Sequence, residues 1–208
     1  MTTILLTAIA AYIATSIDYF VILLIFFSRE RRMKSVFGFV IGHYLGMFIL
    51  YGVSLLAAYG VRFIPESWII GFLGLVPIGL GLKVAFQKEK DTDEEERVEK
   101  IEEKTKLHTW ALVFSALLLT VATGGDDLGV FIPLFASYHI VEILWTLLVF
   151  LFCIAILCFL SYRLSRFHLI REKLEKYERI LVPIVFIAIG LFVLWENGTI
   201  LKLMSFFH

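Results

Sequence analysis

Six apolar runs set the terms for this chain, at about residues 3–27, 35–60, 68–86, 110–134, 140–162 and 180–204. A helix needs roughly 20 apolar residues to cross the hydrocarbon of a bilayer, and each run is long enough to do so. Lipid offers no hydrogen bonds to bare backbone amides, so a run that crosses must be a helix, broken only where protein or water lines the gap. The sequence therefore predicts an all-α integral membrane protein with six transmembrane helices. Its 208 residues are 60% hydrophobic and 15% aromatic, well outside the composition of a soluble domain. The first run has no basic segment before it and no small-residue cleavage site, and it holds a carboxylate, Asp18, near its centre. It reads as a retained span and not a signal peptide.

Lysine and arginine fix the orientation. The connections at 28–34, 83–108 and 162–179 hold four, seven and six of them, and the opposite side holds only Arg62 and Lys202. That asymmetry puts the three basic connections in the cytoplasm and both termini outside. Trp68, Trp145 and Trp195 fall near outer ends and Trp110 near an inner one, where interfacial aromatics belong. The third connection has nine acids and six bases between Lys88 and Lys106 and almost nothing to bury, so it reads as a solvated linker. In the fifth, Leu169, Leu174, Tyr177 and Leu181 recur at near-helical spacing among charges, which suits a helix lying on the inner headgroups.

The chain also repeats itself. "ATSIDYFVILLIFFS" (14–28) aligns without a gap on "ATGGDDLGVFIPLFA" (122–136), an offset of 108 residues that sets Asp18 over Asp126. "LVPI" at 75–78 returns at 181–184, an offset of 106. The organisation is thus a three-helix repeat at 1–86, the charged linker at 87–108 and a second three-helix repeat at 109–208. Three crossings per repeat force the halves to run oppositely through the membrane. Transporters built this way bind their cargo near the midplane, where broken helices from the two halves meet. The first and fourth helices are the candidates for breaks near the midplane. Gly124, Gly125 and Gly129 surround the acids of the fourth, and Pro133 cannot donate to the carbonyl of Gly129.

An ionised carboxylate at such depth costs at least about 2.5–3.5 kcal/mol, and no central Lys or Arg is available to pair with these acids. A divalent cation or protons would neutralise them. Asp18, Asp126 and Asp127 are the candidate metal ligands. Thr15 and Thr123 each stand three residues before an acid and would share its helix face. Carboxylates, hydroxyls and freed carbonyls form the oxygen-rich shell that divalent cations take. The plainer reading of each Asp is that it caps a broken helix or bonds a neighbour's hydroxyl.

Other polar residues in the spans are less specific. His43 lies near the depth of Asp18 and could bind a metal or relay a proton, or serve as hydrogen-bonded packing. Gly38, Gly42 and Gly46 form a small-residue ridge for close helix packing, within the chain or in a homodimer. Cys153 and Cys158 are spaced by five residues, do not form a CxxC pair and read as small hydrophobes. With no CxxC, no HExxH and no clustered histidines in the spans, neither a redox nor a lipid enzyme is indicated. An exporter of a small amino acid or organic cation is the alternative, but it would need a base for the substrate's carboxylate end.

"YIATSIDYFVILLIFFS", "GHYLG" at 42–46, "LGLVPIGLGLK" at 73–83 and "TGGDDLGVFIPLFA" at 123–136 together resemble the CadD-type cadmium-resistance transporters of the lysine-exporter superfamily. The resemblance covers nearly the whole chain. It implies export of cadmium, and of other divalent cations, across a bacterial plasma membrane, with Asp18 and Asp126 at the family's motif acids and no bound cofactor. Two positions depart from the pattern: Asp127 stands where Asn is usual and His43 where Gln is usual. An added carboxylate hardens the site and an added imidazole suits zinc or cadmium. Alternating access follows as the mechanism, with protons competing for the same oxygens as counter-ions.

Overall fold

The computed structural model describes residues 2–30, 32–61, 63, 67–86, 98, 109–165, 169–200 and 202. Among them all regular structure is helical: α1 (Thr2–Thr15), α2 (Ile17–Arg29), α3 (Met33–Val61), α4 (Ser67–Gly71), a 3-10 turn (Phe72–Gly74), α5 (Leu75–Phe86), α6 (Thr109–Thr123), α7 (Gly125–Ser137), α8 (Ile140–Leu164) and α9 (Leu169–Glu196). Three stretches are each long and apolar enough to cross a membrane: Met33–Val61, Trp68–Phe86 and Ile140–Leu164. Two further candidates are bent pairs, α1 with α2 at 55° and α6 with α7 at 66°.

The bends fall at matching places in the two halves. α1 ends at Thr15 and α2 runs from Ile17 to Arg29, while α6 ends at Thr123 and α7 runs from Gly125 to Ser137, so these boundaries keep the offset of 108 residues. One residue steps out of the helix at each break, Ser16 at φ −97°, ψ 2° and Gly124 at φ −75°, ψ 23°.

The last long helix differs from the sequence reading. α9 begins at Leu169 and runs on to Glu196, so the predicted headgroup segment and the sixth apolar run share one helix, which stops short of residue 204. Asn197 explains the stop: its Nδ2 donates to the Val193 carbonyl (2.9 Å) and to Ser137 Oγ (2.8 Å), and Gly198 follows at φ 67°. That left-handed conformation is one glycine adopts without a steric penalty and is a common helix terminator. The side chains of 169–181, the linker 87–108 apart from Val98, and Arg62 lie outside the described residues.

Small residues set the helix contacts. Gly42 of α3 lies against Val113 and Ala116 of α6, and Gly46 lies against Leu117 and Thr120, so α3 and α6 run parallel. α8 packs on α1 and α2. α5 and α9 pair antiparallel, with Gly74 beside Gly190 and Gly81 beside Pro183 and Phe186. The glycine ridge of α3 is therefore filled within the chain at Gly42 and Gly46, and the homodimer loses the feature that suggested it. The opposite face of α3 exposes Phe37, Ile41, Leu45, Phe48 and Leu56, and α8 similarly exposes Leu148, Phe152, Ile156 and Phe159. Helices this apolar on their outer faces need lipid around them.

A Cβ at position 46 would come within 2.6 Å of the Thr120 Cβ. Gly46→Leu should therefore destabilise the protein by about 1–3 kcal/mol or more through overpacking. Gly52, on the same helix, has open space around it and provides the control. Thermal unfolding in detergent should show a large loss for Gly46→Leu and none for Gly52→Leu; equal behaviour would show that the α3–α6 seam is not close-packed.

Candidate functional site: acids at two helix breaks

Each break leaves backbone groups without partners in its helix: N–H groups in the first turn of the second segment and carbonyls in the last turn of the first. The N-terminal end of a helix is also partially positive, which favours a carboxylate there. Asp18 is the second residue of α2, and Asp126 and Asp127 are the second and third of α7. The Asp126 carboxylate lies within reach of the backbone N–H groups of Asp126 and Asp127. Local helix physics thus accounts for where the acids sit, but not for what neutralises them together.

The three acids share one electrostatic neighbourhood. Asp18 and Asp126 lie within reach of each other, and Asp127 lies within reach of both. Asp18 is exposed, Asp126 half-buried and Asp127 buried. Among the described residues no three His, Cys, Asp or Glu side chains are close enough together to hold a metal ion. A cation at this place would draw on the Asp18 and Asp126 carboxylates with hydroxyls, carbonyls or water completing its shell.

The two threonines behave differently from the expectation that each shares a face with its acid. The three-residue spacing holds only within one helix, and the break falls between each Thr and its Asp. The Thr15 hydroxyl donates to the carbonyl of Tyr12 on its own helix (3.4 Å) and lies within reach of the Asp127 carboxyl across the halves. Thr123 turns back onto its own helix and donates to the carbonyls of Leu119 (2.9 Å) and Thr120 (3.2 Å).

His43 belongs to another cluster. Its ring stacks on Tyr19 with centroids 3.9 Å apart, and its Nδ1 lies 3.2 Å from Thr120 Oγ1. The hydroxyls of Thr120 and Tyr19 are hydrogen-bonded at 2.6 Å, and Thr120 Oγ1 also lies 2.9 Å from the Ala116 carbonyl. If Thr120 gives its one proton to Ala116, it accepts from Tyr19 and from His43 Nδ1–H, which leaves His43 Nε2 as a bare lone pair. Nε2 is buried without a partner. The chain thus places Asp18, Asp126, Asp127 and Thr15 together, while His43 and Thr123 have other polar partners.

Three residues near the acids escaped the sequence reading. Lys83, in the last turn of α5, lies within electrostatic reach of Asp126, although by sequence it belongs to the basic third connection. Tyr12 and Tyr51 lie within reach of Asp127. The repeat itself held a signal for Tyr12, which stands 108 residues before Thr120, just as Tyr19 stands 108 before Asp127. Removing the positive charge in Lys83→Met should tighten divalent-cation binding roughly two- to fivefold at low salt, with the difference shrinking as salt screens it. Calorimetric titration at two ionic strengths checks this; weaker binding in the variant would mean that Lys83 supports the site and does not compete with its cation.

A family model described as cadmium resistance transporter matches residues 12–206 of the chain. No curated protein and no solved structure matches it.

Proposed function

Because the chain belongs to the cadmium resistance transporter family, we propose that it exports cadmium, and other divalent metal cations, from the cytoplasm by proton-coupled alternating access. The observation that carries this reading is the pair of helix breaks at equivalent positions, each followed two residues later by an acid, with the two acids in each other's field. Carboxylates facing each other without a bound counter-charge repel, and a divalent cation between them removes that repulsion.

In this reading the chain crosses a bacterial plasma membrane six times as two inverted three-helix repeats, with both termini outside. The bent pairs α1/α2 and α6/α7 are the first and fourth spans, and α4 to α5 and α9 are the third and sixth. The packing supports the symmetry, because exchanging the halves preserves the neighbours: α3 on α6, α8 on α1, and α5 on α9. Parallel α3 and α6 and antiparallel α5 and α9 are the directions that three crossings per repeat require.

Asp18 and Asp126 hold the ion, and Thr15 and Asp127 line the site beside them. Thr123 and His43 would join only if the breaks rearrange between inward- and outward-facing states. Protons from outside compete for the same oxygens and drive the exchange. A small amino acid or organic cation is not favoured, since the family is one of metal transporters.

Calorimetric titration of the purified protein with cadmium, zinc, manganese and lysine tests the substrate class. Cadmium should bind and lysine should not; binding of lysine without cadmium would reverse the assignment. Cadmium flux in proteoliposomes should rise with an imposed pH gradient, and flux indifferent to that gradient would remove the proton coupling.

A further inference from the structure

We infer that Asp127, with the hydroxyls of Tyr12 and Tyr51, forms a second cation site, distinct from the Asp18 and Asp126 pair and matched to a monovalent metal ion. The three residues come from α7, α1 and α3 and are 7%, 1% and 2% exposed. Asp127 Oδ1 and both phenolic oxygens are buried with no hydrogen-bond partner, and each of the three groups lies within the field of the others. The Tyr12 hydroxyl faces Ser16 without forming a hydrogen bond of normal geometry. Aromatic rings close the surroundings: Phe150 lies 5.8 Å from Tyr12 and 5.2 Å from Tyr51, and Phe131 lies 5.5 Å from Tyr51.

The equivalent place in the other half shows what this fold does when such a position is left to itself. Tyr19 and Thr120 occupy the repeat positions of Asp127 and Tyr12, and they close on each other in a direct 2.6 Å hydrogen bond. On the Asp127 side the pair stays open, and an acid replaces the phenol. Buried polar atoms left open in this way are costly, and three of them within one another's field mark a place built to receive something.

Charge decides what that is. A divalent cation matches the two carboxylates of Asp18 and Asp126, which leaves Asp127 to be balanced separately. A single proton would balance it but serve at most one of the two open phenol oxygens, whereas a monovalent cation serves both, and donors that are all hard oxygen suit an alkali metal ion over a soft one. An internal water would satisfy the hydrogen bonds but leave the charge uncompensated. Next to an exporter's site, such an ion would be a second coupling or stabilising cation. That role rests on the transport reading above, whereas the site itself does not.

The test compares the full-length protein in sodium, potassium and choline chloride at equal ionic strength, following thermal unfolding and cadmium binding in the same samples. Sodium or potassium should raise the unfolding temperature above that in choline. Tyr12→Phe and Tyr51→Phe, which remove only an oxygen, should each raise the half-saturating alkali concentration about tenfold, and Asp127→Asn should remove the effect. An unfolding temperature with no difference between the alkali salts and choline overturns this inference alone. An alkali effect unchanged in both Phe variants also overturns it, by placing the ion elsewhere. Failure of the wild type to bind cadmium under any salt would instead overturn the transport reading.

Discussion

Replacing Asp18 or Asp126 with asparagine should leave cells that depend on this protein without cadmium tolerance, at an unchanged level of protein in the membrane. Both acids stand in the first turn after a helix break. Asparagine keeps the size of the side chain and its ability to accept from the free N–H groups of that turn, so the start of the helix should survive. What is lost is charge. With one carboxylate gone, a divalent cation leaving water meets half of its counter-charge, and losing one partner of a desolvated charge pair costs about 2–5 kcal/mol. Cadmium affinity should fall on the order of a hundredfold or more, enough to stop export at the concentrations cells tolerate. Immunoblots of membranes alongside growth in cadmium separate the outcomes. Full tolerance in either variant at equal expression would remove that acid from the site. Equal defects in both variants would show that the halves contribute symmetrically, as the shared register of the two breaks suggests.

How much of this was legible beforehand follows from how local each feature is. Apolar runs revealed the helices because lipid leaves a crossing backbone no choice but helix. Breaks in the first and fourth apolar runs could be anticipated from the repeat, although Ser16, with no glycine beside it, gave no local sign and was recoverable only through its alignment with Gly124. The threonines illustrate the limit. Thr15 and Thr123 seemed bound to their acids by helical spacing, but spacing stops predicting direction across a bend of 55° or 66°, and Thr15 bonds the Tyr12 carbonyl while lying within reach of Asp127 in the opposite half. Lys83 and Tyr51 depend on which helices pack together, which periodicity does not encode. His43 was visible as a polar residue in an apolar run, yet its partners Tyr19 and Thr120 come from α2 and α6 and could be found only in three dimensions. The end of α9 was missed because one asparagine side chain and one left-handed glycine outweigh an apolar run that continues to residue 204.

Cadmium binding by the purified protein should weaken as pH falls, by about tenfold per pH unit for each site carboxylate that must give up a proton to bind it. The sign follows from the ligands. A carboxylate coordinates a metal only when deprotonated, so each acid that must release a proton makes binding tenfold weaker for every unit of added acidity. Each acid that holds a proton in the metal-free protein gives it up on binding, and the slope of log Kd against pH counts the protons displaced. Above the range in which the acids hold protons, the slope should flatten to zero. Ionic strength must be held constant, because screening also changes the repulsion between the acids. A slope near one would mean that one carboxylate stays ionised in the empty protein, with Lys83 as the obvious reason, and Lys83→Met should then restore the second proton. A binding constant flat from acid to neutral pH would mean that neither acid is a ligand, and the case for proton exchange at the two breaks would fail with it.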